Sequence, residues 1–171
     1  MERNIAAEIF NRVLWKIPNV LCLVGSRDGD RWNAMTTSWV TQVAMEPVLV
    51  AAGIDKKALT HELITAGESF TVNLWSREDT RPFVKFSKPA IKEGMSLNGR
   101  PIRGGETGAP IFEEAIAYLD CRLWQIVDCG SHSLMLGEVV DCAFQGDPDT
   151  AVARMEDTRM KYGGVSRGGH N

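Results

Sequence analysis

Apolar residues along the chain first recur with a helical period and then with the period of extended strands. Ile5, Ile9 and Val13 fall every four residues, which predicts a short helix lying on the body of the protein and closed by Pro18. Val20 to Gly25 is then a compact apolar run, Arg27-Asp28-Gly29-Asp30 carries a tight-turn signature, and Trp32 onward returns as a partner strand. Val48 to Ile54 reads as a second buried strand with small residues at its exit. Lys57 to Ala66 reads as a helix ended by Gly67, and Ser69 to Leu74 as a strand. Asp79 to Phe86 suits a helical turn carrying Phe83 and Phe86, whereas the Gly- and Pro-rich stretch from Gly94 to Pro110 reads as loop. Ala115 to Val127 and Ser133 to Phe144 are the longest strands, joined by Asp128-Cys129-Gly130-Ser131 into one antiparallel hairpin. Asp147-Pro148-Asp149-Thr150 opens a late helix to about Thr158, and a Gly-rich mobile tail runs from Gly163 to Asn171. Many short strands with few helices are what a closed antiparallel barrel gives, because closure removes exposed edges.

Size and composition add limits. With 171 residues and 44% hydrophobic content, the expectation is one domain over 1–171, with a core from about 18 to 144 and a C-terminal helix and tail over 148–171. The 19 Lys and Arg against 22 Asp and Glu form no basic stripe, so nucleic acid is not an expected partner. No stretch reaches the roughly 20 apolar residues of a membrane helix, and Met1 to Asn4 leads into no signal-peptide core. A soluble, cytoplasmic protein is expected, without a membrane partner. Cys22, Cys121, Cys129 and Cys142 include no C-x-x-C pair, which removes zinc and iron–sulfur chemistry and leaves four thiols expected to be buried.

Three stretches can carry chemistry. Asn33-Ala34-Met35-Thr36-Thr37-Ser38-Trp39 sets three hydroxyls beside a large aromatic. Such a run can hold a polar, planar or phosphorylated ligand, or it can simply decorate a strand's solvent face. Asp55 to Glu62 passes from a strand into a helix, and Lys57 with Thr60 would add a charge and a hydroxyl to the anion site of a helix start. An ordinary helix cap with solvated lysines reads equally well there, and His61 reads as a structural residue on the helix surface. Gly130-Ser131-His132 puts an imidazole just after a tight turn, where most histidines are solvated and idle. The chain has no G-x-S-x-G elbow and no G-x-G-x-x-G turn, which sets aside hydrolysis and a Rossmann cofactor domain.

Taken in order, these stretches, together with Glu46 to Val50, Gly67 to Leu74, Ala117 to Arg122 and Leu136 to Val140, resemble the flavin reductase-like, FMN-binding split β-barrel family, which includes flavoredoxins. The resemblance spans about Pro18 to Phe144. It implies a mainly β (α+β) fold, a six-stranded antiparallel split β-barrel of Greek-key type with peripheral helices, assembled as a homodimer with FMN near the subunit interface. The family pattern puts Met35, Thr36, Thr37, Ser38 and Trp39 beside the flavin ring and ribityl chain. It puts Ala52, Gly53 and Ile54 in a close backbone wall, and Lys57 and Thr60 near the phosphate. His132 falls on the nicotinamide side as the catalytic candidate, and Tyr162 falls where it can close the pocket. The implied activity is hydride transfer from NADH or NADPH to flavin, with electrons passed on. The alternatives are an FMN electron carrier fed by a redox protein partner, and a barrel without flavin acting as a binding module. The chain departs from the family at Ser131, where many relatives carry Asp, at Leu59, where a hydroxyl is common, and at Lys57, often Arg. Lysine is a point charge without the bidentate fork, which predicts weaker phosphate binding.

Overall fold

The structure, a computed structural model, describes residues 5–160. Helix α1 (Ala7–Leu14) leads into a hairpin of β1 (Cys22–Asp28) and β2 (Arg31–Thr37). The turn between these strands rests on Gly29, whose φ of 57° favours a residue without a β-carbon. A second hairpin, β3 (Val40–Met45) and β4 (Val48–Asp55), is followed by α2 (Leu59–Gly67) and β5 (Ser69–Leu74). Next come α3 (Arg81–Lys85) and the short strands β6 (Ser96–Leu97), β7 (Arg100–Gly104) and β8 (Pro110–Phe112). The long hairpin of β9 (Ala117–Asp128) and β10 (His132–Phe144) completes the sheet.

Seven strands form one antiparallel sheet in the order β2-β1-β5-β9-β10-β4-β3. The two edge strands, β2 and β3, are separated in sequence only by Ser38 and Trp39. The chain therefore bends directly from one edge of the sheet to the other, and the sheet curls back on itself. With β2 and β3 counted as one bent strand, these are the six strands of the expected split barrel.

Inside the curl, Val24, Val50, Ile54, Phe70, Val72, Cys121 and Met135 pack together with Ile64 of α2. A second cluster, with Trp75, Phe83, Phe86, Leu97, Ile102 and Phe112, fills the space under α3 and the small sheet β6-β7-β8. Alternation fixes the site: Ser133, Met135 and Gly137 of β10 are buried, so His132 and Leu134 face the other way.

Four expectations need correction. The stretch from Gly94 to Pro110 is not simply loop, because turns at Gly99 and Gly108 return the chain as β6, β7 and the start of β8. The late helix is absent. Residues 151–154 run extended between two other segments, with Leu21 N–H donating to the Ala153 carbonyl (2.9 Å) and Ala153 N–H to the Trp75 carbonyl (2.8 Å). Only Met155–Asp157 makes a helical turn, of 3-10 type. Tertiary pairing of the backbone outweighs local helix propensity there. Helix α1 forms, yet among the described residues Ile5, Ile9 and Val13, the stripe expected to lie on the body, are exposed. Finally, Cys129 and Cys142 are exposed, on the turn and the outer stretch of the long hairpin, while Cys22 and Cys121 are buried.

Candidate functional site

The bend between the two edge strands is the centre of the site. Gly53 N–H donates to the Trp39 carbonyl at 2.9 Å, and a β-carbon at Gly53 would touch Trp39 Cβ at 3.4 Å. The bare backbone of β4 thus seats the indole. His132 pairs with Asp55 in the β10–β4 ladder, and its ring lies 5.1 Å from the Trp39 ring at a tilt of 58°. Ser131 Oγ is 2.9 Å from His132 Nδ1, which limits rotation of the imidazole. The turn behind it is braced by Lys56 on Asp128 at 2.6 Å. That ammonium, with the Gly130 N–H, holds the Asp128 carboxyl below its ordinary value.

The hydroxyl run lies on β2 and in the bend. Thr36 Oγ1 donates to the Phe83 carbonyl (2.7 Å) and Thr36 N–H to the Phe86 carbonyl (3.0 Å), tying β2 to α3. Thr37 Oγ1 accepts from Trp39 N–H (3.3 Å) and shapes the bend. Among the described residues Ser38 makes no side-chain hydrogen bond, so its hydroxyl is left for a ligand.

The other end of the site is a turn and a helix start. Asp55 Oδ1 accepts from Lys57 N–H (2.8 Å) and its carbonyl from Ala58 N–H (3.0 Å), which delivers the chain into α2. Ala58 stands at the N-cap and has no side chain with which to cap, so the first N–H groups of α2 remain open. Thr60 is fully buried; its Oγ1 accepts from Asn33 Nδ2 (3.0 Å), while Asn33 Oδ1 accepts from Ala90 N–H (2.8 Å). These bonds bind α2, β2 and the segment after α3 into one frame.

Three adjoining cavities form a continuous groove along this frame. One of about 180 Å³ lies at the α2 start between Lys57 and Lys88 and shares Met35 and Thr36 with the next, of about 290 Å³. The second shares Ser38, Trp39, Gly53, Asp55 and His132 with an open cleft of about 1060 Å³. Most of the residues expected from sequence therefore line one groove: Met35 to Trp39, Gly53, Lys57, Thr60 and His132. Ala52 and Ile54 are fully buried with their side chains in the barrel interior, so they can offer only backbone. Tyr162 lies outside the described residues. Sequence reasoning missed Asp55, Lys88, Met155 and Met160. Asp55 had a signal, since an Asp that opens a turn before a helix binds its own backbone. The other three arrive from distant segments and have no local pattern. Among the described residues no three His, Cys, Asp or Glu side chains gather as a metal site.

The sequence pattern of the flavin reductase like domain matches residues 14–164. The chain belongs to the flavin reductase-like family. It is 29% identical to a flavin reductase of Pseudomonas putida over 95% of this chain and 98% of that one. It is 34% identical to a high molecular weight rubredoxin of Moorella thermoacetica over 76% of this chain. The chain spans only 58% of that rubredoxin's length, and 24% of a diflavin flavoprotein of Synechocystis that it also matches. Among solved structures, the NADH:FAD oxidoreductase SgcE6 of Streptomyces globisporus superposes with a TM-score of 0.73 at 26% identity, covering 82% of this chain and 83% of that one.

The residues present fit a flavin nucleotide. An uncapped helix start beside Lys57 suits an anionic phosphate, and the strand edge with Ser38 suits the polar chain and ring margin. Trp39 and His132, over the bare backbone of Gly53, offer two ring surfaces for a planar group.

Proposed function

We propose that this protein is an NAD(P)H:flavin oxidoreductase that holds FMN in the groove, acts as a homodimer in the cytoplasm, and passes electrons on. The carrying observation is the continuity of the groove from the open α2 start to the Trp39–His132 pair, which opens on the large cleft where a second planar cofactor can lie. The P. putida flavin reductase, matched over nearly its whole length, supports this reading. Among the described residues no helix is long and apolar enough to cross a membrane.

Flavin and nicotinamide supply the redox chemistry between them. The protein needs to bind both, orient them face to face and keep water out. Lys57 and the α2 N–H groups would hold the phosphate. Ser38 would hydrogen-bond the flavin, and His132, steadied by Ser131 and Trp39, would orient the donor. No side chain is required as an acid or base.

A second reading, an FMN electron carrier fed by a redox partner, is favoured by the rubredoxin and diflavin relatives, of which this chain matches one part. Titration with FMN separates the possibilities. The unaltered protein should quench flavin fluorescence stoichiometrically, and Lys57→Ala should weaken FMN by about tenfold, or 1.4 kcal/mol. Flavin bound but reduced by neither NADH nor NADPH would favour the carrier. Protein that binds no flavin would contradict both readings and leave a binding module.

A further inference from the structure

We propose that His61, on the first turn of α2, is a positioning residue that sets the His132 imidazole through Ser133. The inference rests on the reading of His132 as the residue that orients the nicotinamide donor. It adds a second histidine, one outside the residues that line the groove.

Two neighbouring side chains at the start of α2 reach two different strands. Thr60 Oγ1 accepts from Asn33 Nδ2 of β2 at 3.0 Å, and His61 Nε2 lies 2.8 Å from Ser133 Oγ of β10. The helix start is thus a crosspiece between the strand that carries Met35 to Thr37 and the strand that begins at His132. Ser133 is only 3% exposed, so water has little access to its hydroxyl, and among the described residues the partner of that hydroxyl is His61. Its neighbour His132 points to the opposite face of the strand, into the groove.

Place on the strand gives this bond its leverage. His132 and Ser133 open β10: the first pairing with β4 is His132 with Asp55, and the first with β9 is Ser133 with Asp128. Before them comes a turn, with Gly130 at a φ of 86°. The ladder ends here, where backbone pairing restrains the chain least, so a side-chain tie fixes the direction of the strand. On the groove side the imidazole rests against Ser131 Oγ at 2.9 Å and the Trp39 ring at 5.1 Å. Rotation of the peptide between His132 and Ser133 would carry the ring away from both. His61 opposes that rotation from the inner face. Either tautomer serves, because the Ser133 hydroxyl can donate to a bare Nε2 or accept from a protonated one.

The first arm of the test is NMR of the histidine rings in the full chain, which has three histidines. His61→Ala and Ser133→Ala should each move the His132 ring signals out of the Trp39 ring current. His61→Gln, whose amide can donate or accept in the place of Nε2, should leave them where they are. The second arm is anaerobic reduction of bound FMN by NADH or NADPH. His61→Ala should slow it about fivefold with FMN affinity changed less than about twofold, and Ser133→Ala should match it with no further loss in the double variant. In a His132→Ala background, His61→Ala should change the rate by less than about twofold. His132 signals that stay in place in both alanine variants, or a rate loss that persists undiminished in the His132→Ala background, would overturn the proposal. An unaltered protein whose bound flavin neither donor reduces would remove the reductase reading, and the ring signals would still decide whether His61 sets His132.

Discussion

Thr36, Thr37 and Ser38 are neighbours in the sequence, but their hydroxyls have different fates. Thr36 is spent on the Phe83 carbonyl and Thr37 on the Trp39 N–H, while Ser38 has no side-chain hydrogen bond among the described residues. Ser38→Ala should therefore lower FMN affinity several-fold with an unchanged melting temperature. Thr36→Ala should cost about 1 kcal/mol of stability in urea unfolding, because the α3 carbonyl loses its partner. At His132 the expected effect is kinetic. His132→Ala should reduce the rate of flavin reduction about tenfold, equivalent to 1.4 kcal/mol of barrier, with FMN affinity changed much less. Equal losses in affinity and rate would make His132 part of the flavin seat instead. The thiols give a separate check on burial. Desolvation pushes Cys22 and Cys121 up to about 12, so both stay neutral and inert at neutral pH. Iodoacetamide should label Cys129 and Cys142 in the folded protein, and Cys22 and Cys121 only after denaturation. Because the folded values lie above the ordinary value of 9.0, the stability held in these two thiols is present below pH 9 and falls as pH rises toward 12.

Among the elements, the long β9–β10 hairpin depends on one close approach. A β-carbon at Gly137 would lie 2.6 Å from Phe70 Cζ and 2.7 Å from Cys121 Cβ. Gly137→Ala should destabilise by about 1–3 kcal/mol in denaturant unfolding, with larger residues worse. The extended strap over residues 151–154 has its own lock, Asp157, which accepts from Arg154 N–H at 2.9 Å and pairs with Arg77 at 2.8 Å. The Arg154 N–H, followed by the Arg77 and Arg154 charges, holds its carboxyl below the ordinary 3.8. Its contribution is therefore present above pH 3.8 and is lost as pH falls through the lower folded value. Asp157→Asn should lose stability at pH 7 and show a shallower decline into acid than the unaltered protein. The strap also shows where sequence reading stops. The strands of the barrel were legible because one face of each is buried, and alternation records that. Residues 151–155 read as helix because nothing local reveals that Leu21 and Trp75 pair with them. The small strands β6 to β8 were hidden among glycines that serve their turns. In the groove, the D-K-K-A-L-T turn and the hydroxyl run were visible as contiguous patterns. Lys88, Met155 and Met160 reach it only through the tertiary fold.

At the scale of the molecule, the fold solves one problem twice. Bending the chain at Ser38-Trp39 brings the two sheet edges together, and the same bend leaves a polar strip with the Ser38 hydroxyl beside the tilted rings of Trp39 and His132. The helix that follows β4 buries Leu63 and Ile64 and presents its uncapped start at the end of that strip. Barrel closure and the groove are thus consequences of one local geometry. The segment that leaves α1 helps to line the cleft through Ile17 and Pro18. The homodimer reading expects a two-chain mass in sedimentation equilibrium, and a single-chain mass at micromolar concentration would contradict it. The most direct test of the functional account is to load the protein with FMN under anaerobic conditions, add NADH or NADPH, and follow the oxidised flavin absorbance. Rapid bleaching by at least one donor, slowed about tenfold in His132→Ala, is the predicted result. A tightly bound flavin that neither donor bleaches would contradict it.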